Sequence, residues 1–307
     1  MPLGYSRVAA WGAESCAARH YHARFLVAAI DDVAMPVLSP SQTSLLRQTL
    51  QSARHPPPPD ARRWCLADLP LGWLTPDHDA ALARELADTV LIDGQRIWQA
   101  AHWPVAQRSQ ALQAAAERLH AQGLIRGWRN EQYSYWGDTG GQPHPDLPEH
   151  FRLERAAFRF LGLHSHAVHI NGFRPDGRMW CGRRALSKAT DPGRLDNLAA
   201  GGLPVDETVL GCVLRELYEE AGLPESLALQ VQAAGHITTA RMEAEGWHEE
   251  TLLVFNLLLP PDVQPHNTDG EVSGFECLSL DEVMQRIAAR DFSEDAACVV
   301  AQGLLHF

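Results

Sequence analysis

The chain has 307 residues, 45% hydrophobic and 21% charged. That is enough apolar material for about two domains of ordinary size, and it excludes a disordered polymer. Lys and Arg total 26 against 38 for Asp and Glu, a net charge of −12. This field repels nucleic-acid backbones and anionic membrane surfaces, so a polyanionic substrate would need a local cation, either a small basic patch or a bound metal.

The clearest apolar runs, Phe25–Ile30 and Thr251–Leu259, are far shorter than the ~20 residues that span a bilayer. The first residues include Glu14 and no sustained apolar segment, so no secretory signal is expected. Six cysteines are scattered at Cys16, Cys65, Cys181, Cys212, Cys277 and Cys298 with no Cys-x-x-Cys pair. They predict free thiols in a reducing compartment and a soluble, cytoplasmic protein.

In chain order, Arg24–Ile30 reads as a strand and Pro56–Pro59 as a stiff polyproline loop. Ser109–Gln122 reads as a helix, with Leu112, Ala115, Ala116 and Leu119 at helical spacing and Gly123 placed to close it. Trp128, Tyr133, Tyr135 and Trp136 then crowd together, and packing is favoured over a ligand platform. The segment from Gly137 to Pro148, rich in Gly and Pro, reads as a hinge. It places a boundary near residue 145, between a smaller α+β part, 1–145, and a second domain, 146–307. No fixed repeat period is present, which argues against a solenoid.

The second part alternates strands and helices. Val168–Phe173 and Met179–Arg184 flank the hairpin signal Asp176-Gly177, Gln230–Arg241 reads as further strand, and Thr251–Leu259 is apolar enough to be covered on both faces. Ser279-Leu-Asp-Glu282 is a capping box opening a helix to about Ala289. The pattern predicts an α/β sandwich.

One segment, Gly201 to Leu223, carries the chemistry. Asp206 is the expected N-cap and Gly222 the expected helix stop. Leu210, Val213, Leu214, Leu217 and Ala221 form one apolar stripe, while Glu216, Glu219 and Glu220, at i, i+3 and i+4, project from another face. Arg215 and Glu219 are spaced to pair. Crowded carboxylates beside a cleft call for a hard divalent ion, and Mg2+ completes its shell with water and phosphate oxygens.

Gly201, Glu207, Arg215, Glu216, Leu217, Glu219, Glu220, Gly222 and Leu223 meet every fixed position of G-x5-E-x7-R-E-U-x-E-E-x-G-U, where U is aliphatic. The segment therefore resembles the Nudix box. Residues around it resemble the thiamine-diphosphate-type subgroup, whose Nudix domain also occurs beside thiamine pyrophosphokinase: Gly127–Tyr133, His169–Phe173, Trp180–Arg184, Ser187-Lys188, Pro192–Asn197 leading into Ala200–Gly202, and Asp269–Val272 with Phe275. The likeness covers roughly residues 120 to 290 and is looser before that, where Gly72-Trp73 carries it.

The resemblance implies an α/β/α sandwich with a mixed sheet, preceded by a smaller α+β N-terminal domain, and hydrolysis of a diphosphate. It implies Glu216 and Glu220 as principal Mg2+ ligands (Mn2+ being able to substitute), Glu219 as a helper, Arg215 orienting carboxylates, Glu207 bracing the loop, and Gly201 and Gly202 bringing backbone close to the ion. Some relatives draw the water-activating carboxylate from a later loop, which makes Glu249, Glu250 and Glu271 candidates. Arg183, Arg184 and Lys188 are expected at the phosphates, Asn197 and Asp196 either shape the pocket mouth or hydrogen-bond the loop, and His169 is a packed or substrate-side histidine. His164, His166 and His169 invite a zinc reading, but strand alternation turns His169 away from the other two. A small-molecule diphosphate, first thiamine diphosphate or its oxidised analogues, is the expected substrate, with no nucleic acid or membrane partner and a homodimer as an open arrangement. A nucleoside diphosphate sugar or coenzyme is the alternative. The run Arg183–Lys188 followed by Pro192-Gly193 also resembles isopentenyl diphosphate isomerase, which departs from the full box, and a diphosphate sensor without catalysis is a further alternative.

Overall fold

A computed structural model describes residues 37–137, 147, 149–188 and 190–306. The expected strand Arg24–Ile30, Cys16 and most of the expected hinge lie outside the described residues. Ser39 caps the first helix, α1 (Pro40–Gln51), through a reciprocal box with Gln42 that the sequence reading passed over. Strands β1 (Arg62–Leu66) and β2 (Leu69–Leu74), helix α2 (Pro76–Glu85), then β3 (Thr89–Ile92) and β4 (Gln95–Trp98) follow. They build a four-stranded sheet in the order β2-β1-β4-β3. Helix α3 (Val105–Ala121) begins four residues before its expected start, because Pro104 supplies a ready-made entry. Gly123, at φ +76, follows its C-cap.

Strands β5 (Gln132–Tyr135) and β6 (Phe151–Glu154) pair as an antiparallel hairpin across the expected boundary, and α4 (Arg155–Phe160) follows directly. Tyr133 and Tyr135 are buried in a cluster that runs from Trp64 to Leu163, with Trp128 packed at its edge, so the aromatic crowd is core. The join to the next strand is tight. A side chain at Gly72 would place its Cβ 2.1 Å from the Gly162 carbonyl oxygen, and Trp64 Nε1 donates to the Leu161 carbonyl at 2.7 Å. All described residues fall within one compact unit.

The larger sheet contains β7 (His164–Phe173), β8 (Met179–Arg184), β9 (Leu195–Asp196), β10 (Ala199–Gly202), β11 (Gln232–Glu243), β12 (Gly246–Leu258) and β13 (Val272–Leu278), with helices α5 (Val209–Ala221), α6 (Glu225–Ala228), α7 (Leu280–Ala288) and α8 (Glu294–Leu305). Its order is β11-β12-β7-β8-β13, with β10 on β7 and β9 on β8. β7 and β12 are parallel and the other pairs antiparallel, so the sheet is mixed. Thr251–Leu257 is buried throughout because the strand is covered twice: Leu253 and Phe255 pack with α5, and Leu252 and Val254 with Val299 of α8. The capping box at Ser279 opens α7 as expected. Among the described residues all five cysteines are free.

Candidate active site

Helix α5 starts two residues later than expected. Thr208, not Asp206, is the N-cap, its side chain accepting from the Gly211 N–H. Asp206 instead adopts φ +64, a conformation that costs a non-glycine residue roughly 1 kcal/mol, and Arg152 of β6 holds its carboxylate through two bonds of 3.0 and 3.1 Å. Gln132 accepts the Val205 N–H at 2.9 Å. Tyr133 stands against Gly202, where a Cβ would fall 1.6 Å from its hydroxyl. The β5–β6 hairpin thus grips the end of β10 and the loop that leads from it to α5 at three points. Gly222 ends the helix in the left-handed conformation, as expected.

Among the described carboxylates of the box, two are buried. Glu216 is 7% exposed and Glu220 8%. Glu220 accepts the Ala200 N–H at 2.9 Å. Glu216 fills the space where Gly201 has no side chain, since a Cβ there would lie 1.7 Å from its Oε1. Arg215 makes a two-pronged pair with Glu207 at 3.0 and 2.9 Å and reaches Glu216 at 2.5 Å and Glu219 at 3.2 Å. With Glu219 43% exposed, one guanidinium ties a loop carboxylate to both a buried and a water-facing one. Glu271 pairs with Lys188, and oxygen atoms of Glu220, Asp269 and Glu271 all lie within 4.8 Å of one another. Asp269 was not singled out in the sequence, although it stands in the quoted Asp-Gly-Glu-Val run.

Burial pushes the Glu216 carboxyl up to about 7, with Arg215 pulling the other way. Burial, then the Glu216 and Asp196 charges, raise Glu220 well above the usual carboxylate range. Glu220 with Asp269 and Glu271 forms an all-oxygen donor set that suits a hard dication, and the buried Glu216 carboxyl, whose ionised form is likewise disfavoured, stands one turn earlier on the same helix. A carboxyl with a higher pKa folded than unfolded contributes stability that is fully present below the unfolded value and lost as pH rises through the folded one. The metal-free protein is therefore expected to become less heat-stable between about pH 5 and pH 8, and Mg2+ should raise Tm more at pH 8 than at pH 6. Thermal melts at both pH values, with and without Mg2+, check this, and an equal gain at both contradicts it.

A cleft of about 460 Å3 borders Gly201 and Gly202 and is lined by Tyr133, His169, Arg184, Lys188 and Glu250, together with Arg126, Arg129 and Arg155 from outside the box region. Strand alternation separates several expected pairs. Arg184 lies on the cleft, bonded to Asp196 at 2.5 Å. Arg183 does not; it turns to Glu276 at 2.7 Å and to the Gly193 carbonyl, which corrects its expected place at the phosphates. Likewise Glu250 lines the cleft and accepts from Ser165 at 2.7 Å, whereas Glu249 faces the other way, with Arg54 and Trp247. His169 lines the cleft and His164 is bonded to Thr251 on the other face of β7, so the three histidines do not converge. Asn197 is 2% exposed and takes the hydrogen-bonding role that stood beside the pocket mouth as an alternative: it donates to Asn171 at 2.9 Å and accepts from His169 Nδ1 at 2.9 Å. That bond fixes the tautomer and leaves Nε2 of His169 for the cleft.

Residues 162–300 match the model of the NUDIX domain. The chain therefore contains a Nudix domain, and its α/β sandwich is the Nudix fold. It is similar to Nudix hydrolase 24, chloroplastic, of Arabidopsis thaliana, 34% identical over 197 residues that make up 63% of this chain and 52% of that one. It is also similar to Nudix hydrolase 20, chloroplastic, of the same plant, 35% identical over 188 residues, 60% of this chain and 49% of that one. An uncharacterized protein of Saccharomyces cerevisiae is 31% identical over 198 residues, 59% and 56% of the two chains. The chain thus spans about half the length of these relatives. Among the described residues no helix is long and apolar enough to cross a membrane.

Proposed function

We propose that the protein is a divalent-metal-dependent hydrolase of a diphosphate linkage, acting on thiamine diphosphate or its oxidised analogues to give the monophosphate and orthophosphate. The observation that carries this reading is the buried pair Glu216 and Glu220 packed against the Ala200–Gly201 backbone beside a cleft rich in cations. Glu216, Glu220 and, on the water side, Glu219 would hold the ion, with the backbone of Gly201 beside them. Held there, Mg2+, or Mn2+ in its place, would supply positive charge to neutralise a diphosphate. Arg215 keeps the carboxylates aimed, and Glu207 anchors Arg215. Arg184 and Lys188 bind phosphate oxygens, and the arginines at 126, 129 and 155 extend that cationic wall. Glu271, a late glutamate with a carboxylate oxygen within 4.8 Å of one of Glu220, takes the proton of the attacking water. Residues 1–145 are accessory and residues 146–307 the Nudix part in this reading.

Thiamine diphosphate as the substrate is supported by the likeness of the residues around the box. Purified protein incubated with Mg2+ and thiamine diphosphate, its oxo and oxy analogues, ADP-ribose and isopentenyl diphosphate tests it by chromatography of the products. Monophosphate from the thiamine set alone is expected. Turnover confined to ADP-ribose moves the assignment to a nucleoside diphosphate sugar or coenzyme, and an allylic diphosphate product moves it to an isomerase.

A further inference from the structure

Outside the box, three donors from two elements converge on the same cleft. His248 and Glu250 lie two residues apart on β12 and so share a face, and Asp295 sits in the first turn of α8. All three line the cleft. His248 Nε2 is 3.6 Å from Glu250 Oε2 and 3.8 Å from Asp295 Oδ2. His248 is 3% exposed, and its Nε2 makes no hydrogen bond among the described residues. A buried imidazole nitrogen left in that state is costly unless a partner takes it up.

These separations are too long for hydrogen bonds. They are close to the about 3.4 Å between neighbouring donors set tetrahedrally around an ion at about 2.1 Å. Each carboxylate is aimed from behind. Ser165 holds the other oxygen of Glu250, Oε1, at 2.7 Å. Arg241 holds Asp295 through both oxygens, at 2.7 and 2.9 Å. Such outer partners orient metal ligands and raise affinity 10- to 100-fold. Arg241 also pairs with Glu243 at 2.7 Å, so its charge is not spent on Asp295 alone, and with neutral imidazole the two carboxylates leave negative charge for a dication to balance. One nitrogen with two oxygens favours zinc-like ions over Mg2+, which prefers oxygen alone.

We propose that His248, Glu250 and Asp295 bind one divalent transition-metal ion of the zinc class, apart from the ion of the Nudix box, with its open coordination position facing the cleft. The site does not depend on what the box hydrolyses. The test is Co2+ titration of chelator-treated full-length protein in saturating Mg2+, followed by visible absorption. One equivalent should give the strong bands of low-coordinate Co2+. His248→Ala and Glu250→Gln should each weaken uptake at least tenfold, whereas Glu220→Gln should leave it unchanged. Circular dichroism of both site variants reports whether they fold, and Glu250→Gln preserves shape should the histidine variant fail. No Co2+ bands in the wild-type protein overturns the proposal. So do bands lost in Glu220→Gln but kept in His248→Ala.

Discussion

Replacing Glu220 by Gln is expected to lower kcat by about 10^3-fold, about 4 kcal/mol of transition-state stabilisation, and to abolish the Mg2+-dependent rise in Tm. The same change should leave the fold untouched. Glu220 is 8% exposed, and burial raises its carboxyl well above the usual range, which favours the neutral acid over the ionised form. Glutamine is nearly the shape of that neutral acid and can still accept the Ala200 N–H. Steady-state rates, melts with and without Mg2+ and the far-ultraviolet spectrum separate the outcomes. Near-normal turnover removes Glu220 from the metal, and a collapsed fold means the residue is structural.

Gly201→Ala should cost at least about 10^2-fold in kcat/KM by moving a carboxylate it does not itself carry. Its Cβ would fall 1.7 Å from Glu216 Oε1 and 2.0 Å from its Cδ, so either the carboxyl or the loop must move. Overpacking of this kind costs typically about 1–3 kcal/mol of stability. The Mg2+ concentration needed for half-maximal rate should rise. Gly274→Ala is the control, since a Cβ there meets nothing within 4 Å. Equal kinetics for the two variants would show that Glu216 is free to sit elsewhere.

The box helix, its left-handed stop at Gly222, the hairpin of Val168–Phe173 with Met179–Arg184 and the capped helix after Ser279 were legible because each depends on a local signal: a motif, a turn or a cap. Side-chain directions along a strand were only half legible. Alternation was applied to the three histidines, but Arg183 and Arg184, or Glu249 and Glu250, look alike in sequence, and only the sheet says which neighbour meets the cleft. For Asn197 the sequence leaves pocket mouth and hydrogen-bonding link level. Its burial follows from a chain of partners, Asn171 and Asn256 among them, that lie 26 to 85 residues apart. The N-cap shifted from Asp206 to Thr208 because Arg152, 54 residues upstream, claims the Asp206 carboxylate. No spacing rule registers that kind of competition.

The hairpin that holds the box loop lies wholly before residue 162, where the match to the domain model begins. A segment cut at that point would retain every glutamate of the motif and lose Arg152, Gln132 and Tyr133 together. Its loop would be left to hold Asp206 in a left-handed turn unaided. Shuffling such a motif between proteins would therefore transfer the signature but not the scaffold that tensions it. In this chain the unit that inheritance must keep whole is longer than the one its consensus letters mark.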